Sequence, residues 1–361
     1  VGFLEDLKSK FASFNLSGGG SCVGLSIGTS TVKIAELKKS GRSWKLLHFG
    51  YVQLPDECVV NREIVNSVAV VESIRTLLGQ IRLKNVAVCT SITGTGVITK
   101  RMTVEVPNAK ELQDQVFWEA EQYLPFDVSE VYLDYQVLSR SKSGTTDVLL
   151  VAAKKSVVDG YMAVVEQAGL KPKIVDLDYF ALQNVLEANY PMNATESVAV
   201  IDIGASSMKM VVVHGGIPVF TKDSTIGGRG LTSEIQKHLS LSFADAESLK
   251  VAGQGGTMPQ EVADLIHVMC ENVATEIKRS IDLYNAQSSG APISYVLLTG
   301  GSAKIAGLSK MVEDQIGLPA QTLNPFGSIS YDSSHFTQDQ LSANAAMAAV
   351  PIGLALRAGA G

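Results

Sequence analysis

The sequence predicts an α/β protein of two related halves with a smaller unit inserted in the first, and three observations carry that prediction. A ten-residue phrase is written twice, as GLSIGTSTVK from Gly24 and as VIDIGASSMK from Val200, so that Ser26 to Lys33 matches Asp202 to Lys209. Around each copy, strand-like stretches alternate with amphipathic helical ones, the pattern of a mixed α/β domain. Between the copies, near residues 98 to 174, the order becomes strand, helix, hairpin, helix, about eighty residues suited to a core of their own. At 361 residues the chain also exceeds the size at which one core usually stays single.

The elements follow in order. GFLEDLKSKFASFNL places Phe3, Leu4, Leu7, Phe11 and Phe14 at helical spacing, with charged residues opposite, and SGGGS tethers this amphipathic helix to the body. It either lies on its own domain or docks on a membrane surface or partner. VGLSIGTSTVKIAELKK and WKLLHFGYVQLP are consecutive strands, NSVAVVESIRTLLGQI a helix and NVAVCTSI a strand. In the inserted segment MTVEVP is a strand, and NAKELQDQVFWEAEQYL a helix capped by Asn108 and closed by Pro125. VYLDYQVLSR and DVLLVAAKK form a hairpin, and VVDGYMAVVEQAG a helix that Gly169 can cap. After the second phrase, residues 229 to 289 are largely helical, SYVLLTGGSAKIAGLSKMVEDQIG is strand, Gly turn and helix, and SANAAMAAVPIGLALRA is a final Ala-rich helix.

Composition excludes several classes. A net charge of −6 with no Lys/Arg cluster argues against a nucleic-acid binder. Cys22, Cys58, Cys89 and Cys270 have no CxxC spacing, so buried free thiols in a reducing compartment are expected, with no zinc site. The longest apolar runs fall short of about 20 clean residues and contain Asp, Lys, Pro or Arg, which predicts a soluble cytoplasmic protein.

The repeated phrase carries the chemistry. Small residues around a Gly let backbone amides approach an anion, and two such hairpins facing each other would grip a polyphosphate from both sides. Lys33 and Lys209 sit on the returning strands, in reach of the turns, and Asp202 can hold Mg²⁺ through water. LLTGGSAKIAGL turns from an apolar strand into a helix N-terminus suited to ribose or phosphate, and TIGGRGLT offers a further Gly turn.

Those residues resemble the superfamily of actin, chaperone ATPases and sugar kinases, in which duplicated halves close on ATP. Within it the chain resembles the PilM family of type IV pilus assembly proteins, actin-like relatives of the division protein FtsA. GLSIGTSTVKIAEL, VPNAKELQDQVFWEAEQYLPFDVSEVYLDYQVL, VIDIGASSMKMVVV, TIGGRGLT, EIKRSIDLY and LLTGGSAKIAGL carry the likeness. It implies a U-shaped, actin-like (ribonuclease H-like, duplicated) fold with an insert in the position FtsA uses, called 1C. The expected division is residues 1–21 for the N-terminal helix and linker, 22–97 with 175–197 for subdomain 1A and 98–174 for 1C. Residues 198–226 with 290–361 would form 2A, and 227–289 would form 2B. The likeness also implies a cytoplasmic protein peripheral to the inner membrane, serving twitching motility. It would bind ATP and Mg²⁺ and dock the N-terminal cytoplasmic peptide of PilN, reaching PilO and the motor or platform proteins through it. Carried over by position, the nucleotide site takes Gly28, Thr29, Ser30, Thr31 and Lys33 from the first hairpin. From the second it takes Asp202, Gly204, Ala205, Ser206 and Lys209. Gly227 and Gly228 would face the phosphates, Gly300, Gly301 and Ser302 the ribose, and Glu276 with Arg279 the base.

The chain departs from the family in one place, with Ser26 where members carry an acid. Losing that carboxylate weakens metal positioning more than amide contacts to phosphate, so ATP binding with slow or absent hydrolysis is expected. Gln183 resembles actin's water-orienting Gln, although a solvated helical Gln is the commoner meaning of such a residue. Phe117, Trp118, Tyr123, Tyr132 and Tyr135 of the insert are candidate anchors for the PilN peptide, with one or two of the five expected exposed. Two other readings stay open: an FtsA-like membrane-associated filament former, and a small-molecule kinase, for which no loop Asp or Glu offers itself as general base.

Overall fold

A computed structural model of the protein describes residues 21–41, 43–105, 111–141, 144–252, 258–287 and 291–359. The expected N-terminal helix with its Gly-rich tether, and the Asn108 cap, lie outside the described residues.

The first lobe is built on β1 (Ser21–Ile27), β2 (Thr31–Ser40) and β3 (Ser43–Gln53), an antiparallel meander. The small hairpin β4 (Val59–Val60) and β5 (Glu63–Ile64) follows, then α1 (Ser67–Ile81) and β6 (Ala87–Ile92). The inserted unit comprises β7 (Val97–Glu105), α2 (Leu112–Ala120), β8 (Val131–Arg140) and β9 (Thr145–Lys154), its sheet running β7-β9-β8. The chain returns through α3 (Lys155–Gln167), β10 (Lys171–Leu177) and α4 (Asp178–Asn189).

The second lobe repeats the plan with β11 (Ser197–Ile203), β12 (Met208–His214) and β13 (Ile217–Ser224). Helices α5 (Gly228–Leu239), α6 (Phe243–Ala252) and α7 (Gln260–Gln287) come next, then β14 (Ile293–Thr299), α8 (Leu308–Ile316) and β15 (Ala320–Thr322). The chain ends with β16 (Ile329–Tyr331) and α9 (Gln338–Ala358). The two main sheets run β10-β6-β1-β2-β3-β16 and β13-β12-β11-β14-β15. The duplication is exact in register, for Ser26 faces Lys33 in the first hairpin and Asp202 faces Lys209 in the second.

β11 explains how the lobes share a core. Val198 and Val200 point into one apolar cluster with α4 and α9, while Ala199, Ile201 and Ile203 point into another with α7 and α8. A fully buried strand of this kind is continuous in apolar residues rather than alternating. Helices α4 and α9 pack on each other between the two sheets. α9 begins in a capping box, with Thr337 accepting from the Gln340 amide and Gln340 accepting from the Thr337 amide. It is long and apolar enough to span a membrane by length and composition, which the sequence reading did not allow, yet it is mostly buried inside the protein. All four cysteines are free and buried, as expected.

Two expected boundaries move. β16 pairs with β3 and α9 packs on β1, β2 and β6, so the end of the chain belongs with the first lobe rather than with 2A. The insert's own core is Met102, Val104, Leu112, Val116, Ala120, Val148 and Leu150. Helix α3, assigned to the insert, instead places Val157, Val158, Tyr161, Val164 and Val165 in the core of the first lobe. An apolar face at helical spacing shows that a helix is buried, but not against which partner.

Asp176, near the end of β10, carries a pH signature. Burial pushes its carboxyl up to about 6, and the repulsion of Asp178 acts in the same direction, while the Leu177 amide and the Arg357 charge work against it. Its Oδ2 has no hydrogen bond, and Arg357 Nε stands 3.6 Å away. A carboxyl whose folded pKa is raised favours the folded state while protonated, so this stability is present in acid and is lost as pH rises from about 4 through about 6. Asp176→Asn is expected to stabilise the protein by about 3 kcal/mol at pH 8 and by well under about 1 kcal/mol at pH 4, read from urea unfolding at both values.

Candidate functional site

The two hairpins face each other across a cleft of about 330 Å³ between the lobes. Each is closed the same way: the Gly28 amide donates to the Thr31 carbonyl at 2.9 Å, and the Gly204 amide to the Ser207 carbonyl at 2.9 Å. The first hairpin brings Gly28, Thr29, Ser30, Thr31 and Lys33 to the cleft, and the second brings Asp202, Gly204, Ala205 and Lys209. β14 ends there in Thr299, Gly300, Gly301 and Ser302, and α9 forms the floor with Ala346, Met347, Ala349 and Val350. Gly300 is required by geometry. Its φ is +90°, and a Cβ would run into the Asp202 carboxylate and the Ile203 carbonyl. Its amide and the Thr299 hydroxyl both donate to the Ala346 carbonyl, at 2.6 and 2.9 Å, which ties the Gly turn to α9.

At the centre lies a buried ionic group. Lys209 Nζ stands 2.6 Å from Asp178 Oδ2 and 2.7 Å from Asp202 Oδ2, and Ser91 donates to Asp178 Oδ1 at 2.5 Å. Burial alone would raise the Asp178 carboxyl, but Lys209 and Arg62 outweigh it and hold the group below the usual carboxylate range. Burial likewise pulls the Lys209 ammonium down, and the two carboxylates reverse that and hold it above its ordinary value. Lys33 is the counterpart without an acid. Ser26 faces it in the register, burial lowers its pKa, and the pull of Asp202 is opposed by Lys209. Lys33, Arg62, Lys209, Lys250 and Lys304 line the cleft against Asp178, Asp202 and Glu247, a surplus of two positive charges suited to an anion.

Other expected positions stand apart from the cleft lining or are already engaged. Lys209 lines the cleft, but its ammonium is engaged by two carboxylates. Gly227 and Gly228 sit one layer from the opening, against the second hairpin: the Gly228 and Arg229 amides donate to the Gly204 and Ala205 carbonyls, and the Gly228 carbonyl accepts from Lys250 of the lining at 3.2 Å. Ser206 is exposed at the turn, outside the lining. Glu276 and Arg279 are on α7, where Glu276 pairs with Lys222 at 3.1 Å and Arg279 is exposed, away from the cleft. Gln183 lies on α4 and donates to Glu187 at 2.7 Å and to the Gly216 carbonyl at 2.8 Å, and it too is outside the lining.

The sequence reading missed Asp178, Arg62, Glu247, Lys250 and Lys304. Asp178 carried a signal, since an acid between an apolar strand and a helix marks the carboxyl end of a sheet, where α/β proteins place ligands. Glu247 and Lys250 are an i, i+3 pair on α6, and that spacing looks like any solvated helix face; here Lys250 Nζ binds Glu247 at 2.6 Å and Thr232 at 2.8 Å beside the cleft.

Of the five aromatic residues of the insert, Trp118 and Tyr123 are exposed, at 60% and 47%. Phe117 packs edge-to-face on Tyr135, ring centroids 6.2 Å apart, against the core of the insert, and the Tyr132 hydroxyl donates to Asp159 at 2.9 Å.

A model of the family described as "Type IV pilus assembly protein PilM" matches residues 24–359. The chain belongs to the PilM family. A solved structure of a PilM–PilN type IV pilus biogenesis complex has a chain 28% identical to this one, with a TM-score of 0.83, over 93% of this chain and 98% of that one. The ethanolamine utilization protein EutJ of Carboxydothermus hydrogenoformans is 15% identical, with a TM-score of 0.59, over 98% of both chains. An ADP-bound MreB of Spiroplasma citri is 12% identical, with a TM-score of 0.50, over 92% of this chain and 94% of that one. The PilM family thus shares with EutJ and MreB the actin-like α/β fold expected from the sequence.

Proposed function

We propose that the chain is a cytoplasmic, ATP-binding component of a type IV pilus machine that docks the N-terminal tail of the inner-membrane protein PilN. The observation that carries the partner is the match to a PilM–PilN complex over nearly the whole of both chains. Through PilN it would sit at the inner membrane beside PilO and pass on to the motor what it senses.

The duplicated hairpins and their surplus positive charge support ATP. The triphosphate would lie between the Gly28 and Gly204 turns beside Lys33, with the ribose near Gly300 and Gly301 and the base toward Glu247, Lys250 and Lys304. A bound Mg²⁺ supplies charge neutralisation at the phosphates. Asp202 fits that ion in part, because Lys209 takes Oδ2 and leaves Oδ1 for a water of the hydration shell. Slow turnover, below about one per second, is the expectation: Ser26 supplies no carboxylate, Asp178 is held ionised by Lys209, and Gln183 faces the β12–β13 turn.

The insert would play the part of an FtsA-type 1C subdomain, with a peptide groove between it and the first lobe, and Trp118 and Tyr123 as its exposed anchors. Titration of a PilN tail peptide into the ATP-loaded protein is expected to show binding that Trp118→Glu with Tyr123→Glu weakens at least about tenfold. Undiminished binding removes the groove, and no binding by the parent protein removes the PilN reading.

A further inference from the structure

Arg62 stands in an unusual place for what its side chain does. The β4–β5 hairpin pairs Val60 with Glu63, so Asn61 and Arg62 form a two-residue turn. Both have left-handed backbone, φ +50° and +70°. Asn adopts that conformation readily, but the second position of such a turn favours Gly, and Arg is disfavoured there. Two neighbours hold it. Tyr161 donates its hydroxyl to the Arg62 carbonyl at 3.2 Å, and Gly94, at φ +99°, leaves open the space that the Arg62 stem crosses: a Cβ on residue 94 would stand 2.7 Å from Arg62 Cγ.

The result is a guanidinium carried from the first lobe across the cleft, where it lines the same cavity as both hairpins and donates to the Ser207 hydroxyl. Ser207 is the residue whose carbonyl closes the second hairpin. The same segment makes a second crossing, where Asp56 meets Arg229 of α5 at 3.0 Å. A guanidinium has five N–H donors in a fixed fork and is matched by carboxylate or phosphate. Among the described residues no carboxylate lies within ion-pair distance of Arg62, and its hydrogen-bond partner is a neutral hydroxyl. That is a strong anion donor facing the cleft with its hydrogen-bonding capacity largely unspent.

We propose that Arg62 reads the terminal phosphate of the bound nucleoside triphosphate across the cleft, exchanging Ser207 for that phosphate, and so sets the preference for triphosphate over diphosphate. The proposal rests on the nucleotide-binding reading above. It also gives the left-handed turn a purpose, since a Gly or Asn at residue 62 would relieve the backbone but remove the charge.

The test is calorimetric titration of ATP and of ADP, each with Mg²⁺, into the full chain and its Arg62→Ala and Arg62→Lys variants, with thermal unfolding of each variant without nucleotide. Arg62→Ala is expected to weaken ATP at least about tenfold while ADP changes less than about threefold. Arg62→Lys keeps the charge without the fork and is expected to fall between them with an unchanged melting temperature, so it carries the test if the Ala variant unfolds early. Equal losses for ATP and ADP, or no loss for either, overturn the role of Arg62 and leave the nucleotide reading standing. A parent protein that binds neither nucleotide overturns both.

Discussion

Lys209→Ala is expected to destabilise the protein by about 3–5 kcal/mol at pH 8, because it leaves the Asp178 and Asp202 carboxylates buried beside each other with no cation between them. All three side chains are nearly inaccessible to water, so solvent cannot take over the lost charge. The pH dependence follows from the carboxyl that Lys209 holds down. A carboxyl whose folded pKa is depressed stabilises the folded state above its ordinary pKa, and this stability is lost as pH falls through the folded value. Wild-type protein therefore loses the contribution of Asp178 in acid. In the variant Asp178 loses the charge that held its carboxyl down and takes up a proton more readily on folding, so the gap between the two proteins is expected to narrow from pH 8 to pH 5. Urea unfolding across that range measures it, and a loss under about 1 kcal/mol at pH 8 would show that water reaches the group after all. Adding Asp178→Asn and Asp202→Asn to Lys209→Met removes every member of the ionic group, and most of the lost stability should return.

This ionic group also marks where sequence reading stopped. The two hairpins were legible because one phrase is repeated with its turn, its glycine and its lysine, and the structure reproduces that repeat residue for residue in strand register. The engagement of Lys209 was not legible, because Asp178 comes from the start of α4 and reaches it only through the packing of one lobe's helix on the other lobe's sheet. Lys33 and Lys209 look equivalent in the text, yet one is held by two carboxylates and the other faces a serine. Glu276 and Arg279 failed for a related reason. A helix of 28 residues shows every face to the reader, and the sequence does not say which one turns to the cleft. Arg62 left no trace, since two short strands around Asn-Arg carry no turn signal of the usual Asn-Gly kind.

The layer between the lobes sets a second large effect. α9 crosses β1 at Gly24, where a Cβ would land on the Pro351 carbonyl and 2.6 Å from the Ala355 amide nitrogen. It crosses α4 at Gly353, where a Cβ would meet the Ala181 carbonyl and stand 2.8 Å from Ala181 Cα. In both cases the obstructing atoms are backbone, so no rotamer change relieves the overlap and a whole element has to shift. Gly24→Ala and Gly353→Ala are each expected to cost about 3 kcal/mol or more, at the upper end of what overpacking does. Gly79→Ala supplies the contrast. It lies in α1 with open space where its Cβ would go, and is expected to gain up to about 1 kcal/mol from helix propensity. Because α9 also holds the Gly300 turn through the Ala346 carbonyl, displacement of α9 in Gly353→Ala should reach the cleft, and ATP should bind more weakly even where the protein remains folded. Unfolding curves and ATP titrations on the three variants decide the matter: if Gly353→Ala matches Gly79→Ala in both, α9 is not the rigid wedge that fixes the distance between the hairpins.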